Sequence, residues 1–216
     1  MYSISDLIEI FRLGGIWMIF ILVIGVFSLA IFIERLFVLY FKASVDKEKF
    51  MAQIQRAILS GDLNSAVNYC NDRSAPLNNI VKAGIVSVMN KGKDEEVQTA
   101  MDVAALREIP TVERGTPFLA LFGNLATLIG LLATIVGLIK SFRSLAGVDP
   151  AQKQALLASG IAEAMNGTAF GLIVAIPSLL AYAILNAKTQ RILDDVHESS
   201  VSTLNLILQN REKFNR

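Results

Sequence analysis

Three long apolar runs dominate the chain, and the segments between them place apolar residues at helical spacing. The first run, 15–41, holds about 19 residues before its first charge, Glu34. At 1.5 Å per residue that covers about 28 Å, close to the ~30 Å hydrocarbon core of a bilayer. Asp6 and Glu9 precede it where a signal peptide would carry basic residues. The run is also too long for a signal h-region and lacks a small-residue cleavage site, so it reads as a retained span. Trp17 and Tyr40 fall where interfacial aromatics belong. The second run, 117–145, and the third, 159–187, are each long enough to cross. The piece between them, 146–158, is short and turn-prone at Asp149-Pro150, which predicts an antiparallel helical hairpin.

The remaining segments predict helices outside the bilayer. In 1–14, Ile4, Leu7, Ile8 and Phe11 share one face and read as a short helix on the membrane surface. Region 42–116 carries the stripe Phe50, Ile54, Ala57, Ile58, and a second of Ile80, Ala83, Gly84, Ser87 and Val88. Gly61-Asp62 marks a helix end and a new N-cap. Asp94-Glu95-Glu96 suits a helix start, where acidic side chains meet the positive dipole end. That helix is expected to be interrupted at Pro110 and to run on into span two. The tail, 188–216, places Ile192, Val196, Ser199, Thr203, Leu206 and Ile207 at helical spacing and should prolong span three. This region reads either as a bundle that only anchors the spans or as a docking module.

Composition sharpens the class. Of 216 residues, 53% are hydrophobic, which is high for a soluble domain. Basic residues number 20 against 19 acidic, so there is no footprint for nucleic acid. One cysteine, Cys70, excludes an internal disulfide, and one histidine, His197, without a metal-ligand pattern argues against a metal enzyme. No phosphate-binding loop is present, so no cofactor is expected and any work must draw on a partner or on the membrane. Lys42, Lys47, Lys49, Arg107, Arg114, Lys188 and Arg191 place 42–116 and the C-terminus in the cytoplasm. The N-terminus and 146–158 then face the periplasm, although Lys140 and Arg143 pull the other way.

The candidate chemistry lies in the last two spans. Gly123, Gly130 and Gly137 recur every seven residues, as do Ala126 with Ala133 and Thr127 with Thr134. They form one narrow stripe of small and hydroxyl side chains. Gly160, Ala164, Gly167, Thr168, Gly171 and Ala175 share a face of the third span, and Pro177 should kink that helix or free a carbonyl. Small stripes let helix backbones approach closely in lipid, and buried threonines bond the preceding turn, so simple packing explains much of this pattern. Glu163 changes the weighing. It lies about one turn inside the third span, where an ionisable side chain costs up to roughly 2.5–3.5 kcal/mol and normally faces a bundle interior or a wet cavity. The alternative is a glutamate reaching back to the interface. A carboxylate, aligned hydroxyls and a small-residue lining suit a polar conduit. Two helices cannot enclose one, so copies must assemble around a shared axis. An intramembrane hydrolase would need a base or second acid in the membrane, which the spans lack.

The segments GLLATIVGLIKSF (130–142) and GIAEAMNGTAFGLIVAIPSLLAY (160–182) resemble the MotA/TolQ/ExbB proton-channel proteins, in their three-span ExbB/TolQ branch. The resemblance implies an all-α protein of the bacterial inner membrane with three transmembrane helices. Spans two and three are long, extend into the cytoplasm, and surround a central pore as a pentamer. It implies a dimer of a single-span ExbD/TolR-type partner whose transmembrane Asp carries the proton, with a TonB/TolA-type energy transducer and membrane lipid among the partners. On this mapping Thr134 and Thr168 are the pore threonines and Glu163 the span-three glutamate. Thr127 stands where many members have Pro and would add a third hydroxyl to the pore lining, as a weaker proton-pathway candidate, and Ala133 stands where many have Gly. The implied function is a stator-like channel subunit, not an enzyme, that turns proton flow into motion for an envelope process. The alternative is a non-conducting scaffold that organises the partner. Threonine hydroxyls also coordinate sodium, so the residues alone leave the ion open between proton and sodium.

Overall fold

The structure, a computed structural model, describes residues 15–214. The expected surface helix in 1–14 lies outside them. Among the described residues the chain is helical and without strands. In order come α1 (Gly15–Phe37), a π-helical turn (Val38–Lys42), α2 (Lys47–Ser60), α3 (Leu63–Asn71), α4 (Pro76–Met89), α5 (Asp94–Glu113), α6 (Thr116–Ser144), α7 (Pro150–Gln209) and a 3₁₀ turn (Arg211–Lys213). Among the described residues three helices are long and apolar enough to cross a membrane, and they contain α1, α6 and α7. The chain is a multi-pass membrane protein. It divides into two compact units.

The first unit combines α1 through Ile33 with α6 and with α7 through Ile184. Helices α6 and α7 run antiparallel, joined by the turn around Gly147, whose φ of 85° suits glycine. Their seam is built from backbone and small side chains. A Cβ added to Gly130 would stand 3.0 Å from the Gly167 carbonyl oxygen, and one added to Gly137 would stand 2.8 Å from Ala164 Cβ. The outer faces keep their large side chains exposed, Leu128, Leu131 and Ile135 on α6 and Ile173, Ile176 and Leu180 on α7. That is the arrangement expected where lipid or another helix supplies the apolar contact. Helix α1 packs on α7 through Gly25, opposite Val174, and through a buried Ser28–Ser178 hydroxyl pair at 2.7 Å.

Pro177 is carried inside α7 without ending it. Its missing N–H deprives the carbonyl four residues earlier, at Ile173, of a helical donor. One residue on, the Ser178 hydroxyl donates to the Val174 carbonyl at 2.8 Å, so this stretch is reinforced from a side chain.

The second unit holds residues 34–114 together with α7 from Leu185 onward. Its core collects Phe50, Ile54 and Ile58 of α2, Ala66 and Cys70 of α3, Ile80, Val81 and Ile85 of α4, Val97 and Met101 of α5, and Val196 and Ile207 of α7. The α2 stripe is buried. On α4 the buried face is wider than the expected stripe: Leu77, Val81 and Ile85 join it, while Ala83 and Ser87 are only half-buried. Helix ends follow local chemistry. Gly61 closes α2 at φ 78°, Asp62 accepts from the Ser65 N–H at 3.0 Å to start α3, and Glu96 accepts from the Lys93 N–H at 2.7 Å to start α5. Lys47 of α2 binds Asp195 at 3.3 Å and also Glu198, both on α7.

Two expectations about α5 need correction. Pro110 does not interrupt the helix, because it sits in the last turn, where a single carbonyl loses its donor and the Pro110 carbonyl itself receives the Arg114 N–H at 2.9 Å. Nor does α5 run unbroken into α6. Arg114 turns extended (φ −56°, ψ 131°) and Gly115 takes φ 95°, a conformation that glycine adopts without strain.

Candidate functional site

Thr134 and Thr168 face each other across the α6–α7 seam. Their Oγ1 atoms are in direct hydrogen-bond contact. Thr134 Oγ1 also lies 3.2 Å from the Gly130 carbonyl, one turn back on its own helix, and 3.1 Å from the Ala164 carbonyl of α7. Thr168 Oγ1 lies 3.1 Å from that same Gly130 carbonyl. The Gly130 carbonyl is reachable because Gly130, Gly167 and Gly171 together leave the crossing bare of side chains. The result is a small polar island, two hydroxyls and two carbonyls, at half-buried positions within an apolar seam. Each hydroxyl has one proton and lone pairs to spare, so the pair can both donate and accept.

Thr127 stands apart. Its hydroxyl, 3.1 Å from the Gly123 carbonyl, makes the ordinary back-bond of a helical threonine. It lies about 10 Å along α6 from Thr134.

Glu163 is exposed and lines a groove of about 380 Å³ near the far ends of α6 and α7, together with Trp17, Lys140, Ser141, Ser144 and Ser159. The groove floor is the small-residue seam itself, Ala133, Gly137, Gly160, Ala164 and Gly167. Sequence reasoning picked out Glu163 but missed its polar neighbours. Lys140 was read only as an orientation signal, although its distance from the helix end placed it near the groove. An added Cβ would meet Leu179 at Gly123, the Gly171 Cα at Gly130, the Gly130 Cα at Gly171, the Ala164 Cβ at Gly137, the Ala133 Cβ at Gly167 and the Ser141 side chain at Gly160. Among the described residues no cluster of His, Cys, Asp or Glu is arranged to hold a metal.

A model of the MotA/TolQ/ExbB proton channel family matches residues 72–198, which spans the α4–α5 region, α6 and the threonine pair. The Tol-Pal system protein TolQ of Pseudomonas aeruginosa is 42% identical over 99 residues, 46% of this chain and 42% of that protein. The Haemophilus influenzae TolQ is 41% identical over 96 residues, 44% of this chain and 42% of its own length. The chain thus matches less than half the length of these curated relatives. The structure of C. jejuni MotAB aligns with a TM-score of 0.60 at 19% identity, covering 86% of this chain and 69% of that one, a likeness of fold. With a family model matching more than half of its residues, this chain belongs to the MotA/TolQ/ExbB proton channel family.

Proposed function

We propose that this chain is the channel-forming, stator-like subunit of an inner-membrane motor driven by the proton motive force. In this reading it assembles as a homopentamer around a dimer of a single-span ExbD/TolR-type partner, with its C-terminus in the cytoplasm, and energises an envelope process. Relatives named for the Tol-Pal system favour an outer-membrane process of that kind, with a TolA-type transducer receiving the motion. The observation that carries the proposal is the Thr134–Thr168 hydroxyl pair at a glycine-lined crossing, in a chain of a proton-channel family.

The mechanism follows from electrostatics. A bare carboxylate is costly in hydrocarbon, so the partner's Asp must be neutral while it passes apolar surface and charged where it exchanges its proton. Thr134 and Thr168, with bound water, solvate that Asp and relay the proton. Glu163 and Lys140 set the potential in the outer groove. Each elementary charge that crosses 100 mV supplies about 2.3 kcal/mol.

The test is proton flux in proteoliposomes that hold this chain and its co-encoded single-span partner under an imposed pH gradient. Thr168→Val and Thr134→Val keep side-chain shape and remove the hydroxyl. Flux that needs the partner and vanishes in both variants, with assembly intact, is the expected result. Undiminished flux in both variants overturns the hydroxyl relay. The second reading, a non-conducting scaffold, draws on one observation: both hydroxyls have carbonyl acceptors within the chain itself, as clamps between helices would. It predicts no flux in any combination, with partner binding retained.

A further inference from the structure

A pocket of about 420 Å³ opens within the second unit, where the π-helical turn meets α4 and the end of α5. Its walls carry three cations, Arg35, Lys42 and Arg114, and two carboxylates, Glu34 and Glu108. Both carboxylates are engaged: Glu34 pairs with Arg35 Nη2 at 3.1 Å, and Glu108 accepts from Asn79 Nδ2 at 2.8 Å. The Arg35 side chain is 8% exposed. It donates through Nη1 to the Thr111 carbonyl at 3.2 Å, while its Nε–H is buried with no partner among the described residues. Such a desolvated donor on a charged group is costly to leave unpaired. Lys42 and Arg114 are exposed and form no ion pair among the described residues. The pocket therefore holds one positive charge in excess, around a guanidinium whose planar fork matches phosphate oxygens.

Arg35 lies two residues past the apolar stretch of α1, Lys42 closes the π-helical turn, and Arg114 lies two residues before α6. All three flank stretches long and apolar enough to cross a membrane, where the phosphates of a bilayer would lie. Phe37 at the end of α1 and Tyr40 and Phe41 on the π-helical turn are 62%, 49% and 67% exposed, a pattern that suits a membrane–water boundary. Phe37 and Phe41 stack with ring centroids 5.2 Å apart.

We propose that this pocket binds the phosphodiester headgroup of an anionic phospholipid. Arg35, Lys42 and Arg114 receive the phosphate, and the Phe37–Phe41 stack lies against the acyl chains. A headgroup of net charge −1 neutralises the excess charge of the pocket, whereas a zwitterionic headgroup brings a competing cation with it. The site does not depend on ion conduction and serves a non-conducting scaffold equally.

The test uses the full chain, purified and delipidated in detergent, and titrated with phosphatidylglycerol or phosphatidylcholine of matched acyl chains while bound lipid is counted by native mass spectrometry. Phosphatidylglycerol should bind at least about tenfold more tightly, and the Lys42→Gln/Arg114→Gln double variant should lose about fivefold per removed charge. Both positions are exposed, and far-ultraviolet circular dichroism checks that the fold survives. Should the double variant lose helicity, the two single variants carry the same comparison. Equal binding of the two lipids, or unchanged phosphatidylglycerol binding in the variants, overturns the proposal. Competition by soluble glycerol phosphate at the same concentrations as the lipid would overturn the lipid assignment and give the pocket to a free phosphate compound.

Discussion

Adding one methyl group at Gly171 should open the α6–α7 seam. A Cβ at this position stands 2.6 Å from the Ala126 carbonyl oxygen and 3.1 Å from Gly130 Cα. Ordinary carbon–oxygen contact begins near 3.3 Å, so the helices must part locally by about 0.7 Å. Both obstructing atoms belong to the backbone, and no rotamer can move them aside. Overpacking of this kind costs about 1–3 kcal/mol, while alanine gains about 0.8–1 kcal/mol over glycine in helix propensity. Gly171→Ala should therefore be destabilising by up to about 2 kcal/mol. Gly123→Ala is the control. Its Cβ meets mainly Leu179, at 2.9 and 3.1 Å, and that exposed side chain can change rotamer. It should be neutral or slightly stabilising. The assay is loss of helix on titrating each micelle-bound variant with a denaturing detergent. A difference between the two below about 0.5 kcal/mol, or one of opposite sign, would refute the claim that backbone contact sets this seam.

Three further outcomes are expected. Thr127→Val should keep proton flux within about twofold of wild type in the proteoliposome assay, because its hydroxyl only back-bonds to Gly123. Burial pushes the Cys70 thiol up to about 12 from 9.0. The unfolded chain therefore releases this proton first, so stability present below pH 9 should fall as pH rises toward 12, and Cys70→Ala should flatten that decline in alkaline unfolding curves. Arg211 pairs with Asp94 and donates to the Gly92 carbonyl; Arg211→Ala should cost under about 1 kcal/mol and show as faster amide exchange around 92–96 and 205–213.

Much of this was legible in the pattern of residues, because a bilayer demands long apolar helices and close helix contact demands small side chains. The seven-residue spacing of Gly123, Gly130 and Gly137 announced a seam. What spacing could not give is register. Only the three-dimensional pairing of α6 with α7 sets Thr168 against Thr134 and leaves Thr127 to its own helix. The break at Arg114–Gly115 was hidden for a related reason: proline is the louder breaker, but Pro110 falls in a last turn, where its cost is small. The wider buried face of α4 reflects packing on several sides at once, which a single stripe does not encode. Nor did the sequence mark Arg35 as buried, since it reads as a routine charge at the end of a span.

The seam also has a genetic grammar. At Gly167 the obstructing atom is the Ala133 Cβ, at 2.7 Å, and at Gly137 it is the Ala164 Cβ. At Gly137 the Ala164 Cα, at 3.1 Å, stays in the way, but a methyl added at Gly167 can be answered by removing one opposite it, so Gly167→Ala should be rescued by Ala133→Gly. At Gly171 the obstruction is a carbonyl, which no codon can delete. Suppressor screens should therefore return second-site partners facing Gly167 and none facing Gly171, a division drawn by whether the neighbour across the gap is side chain or main chain.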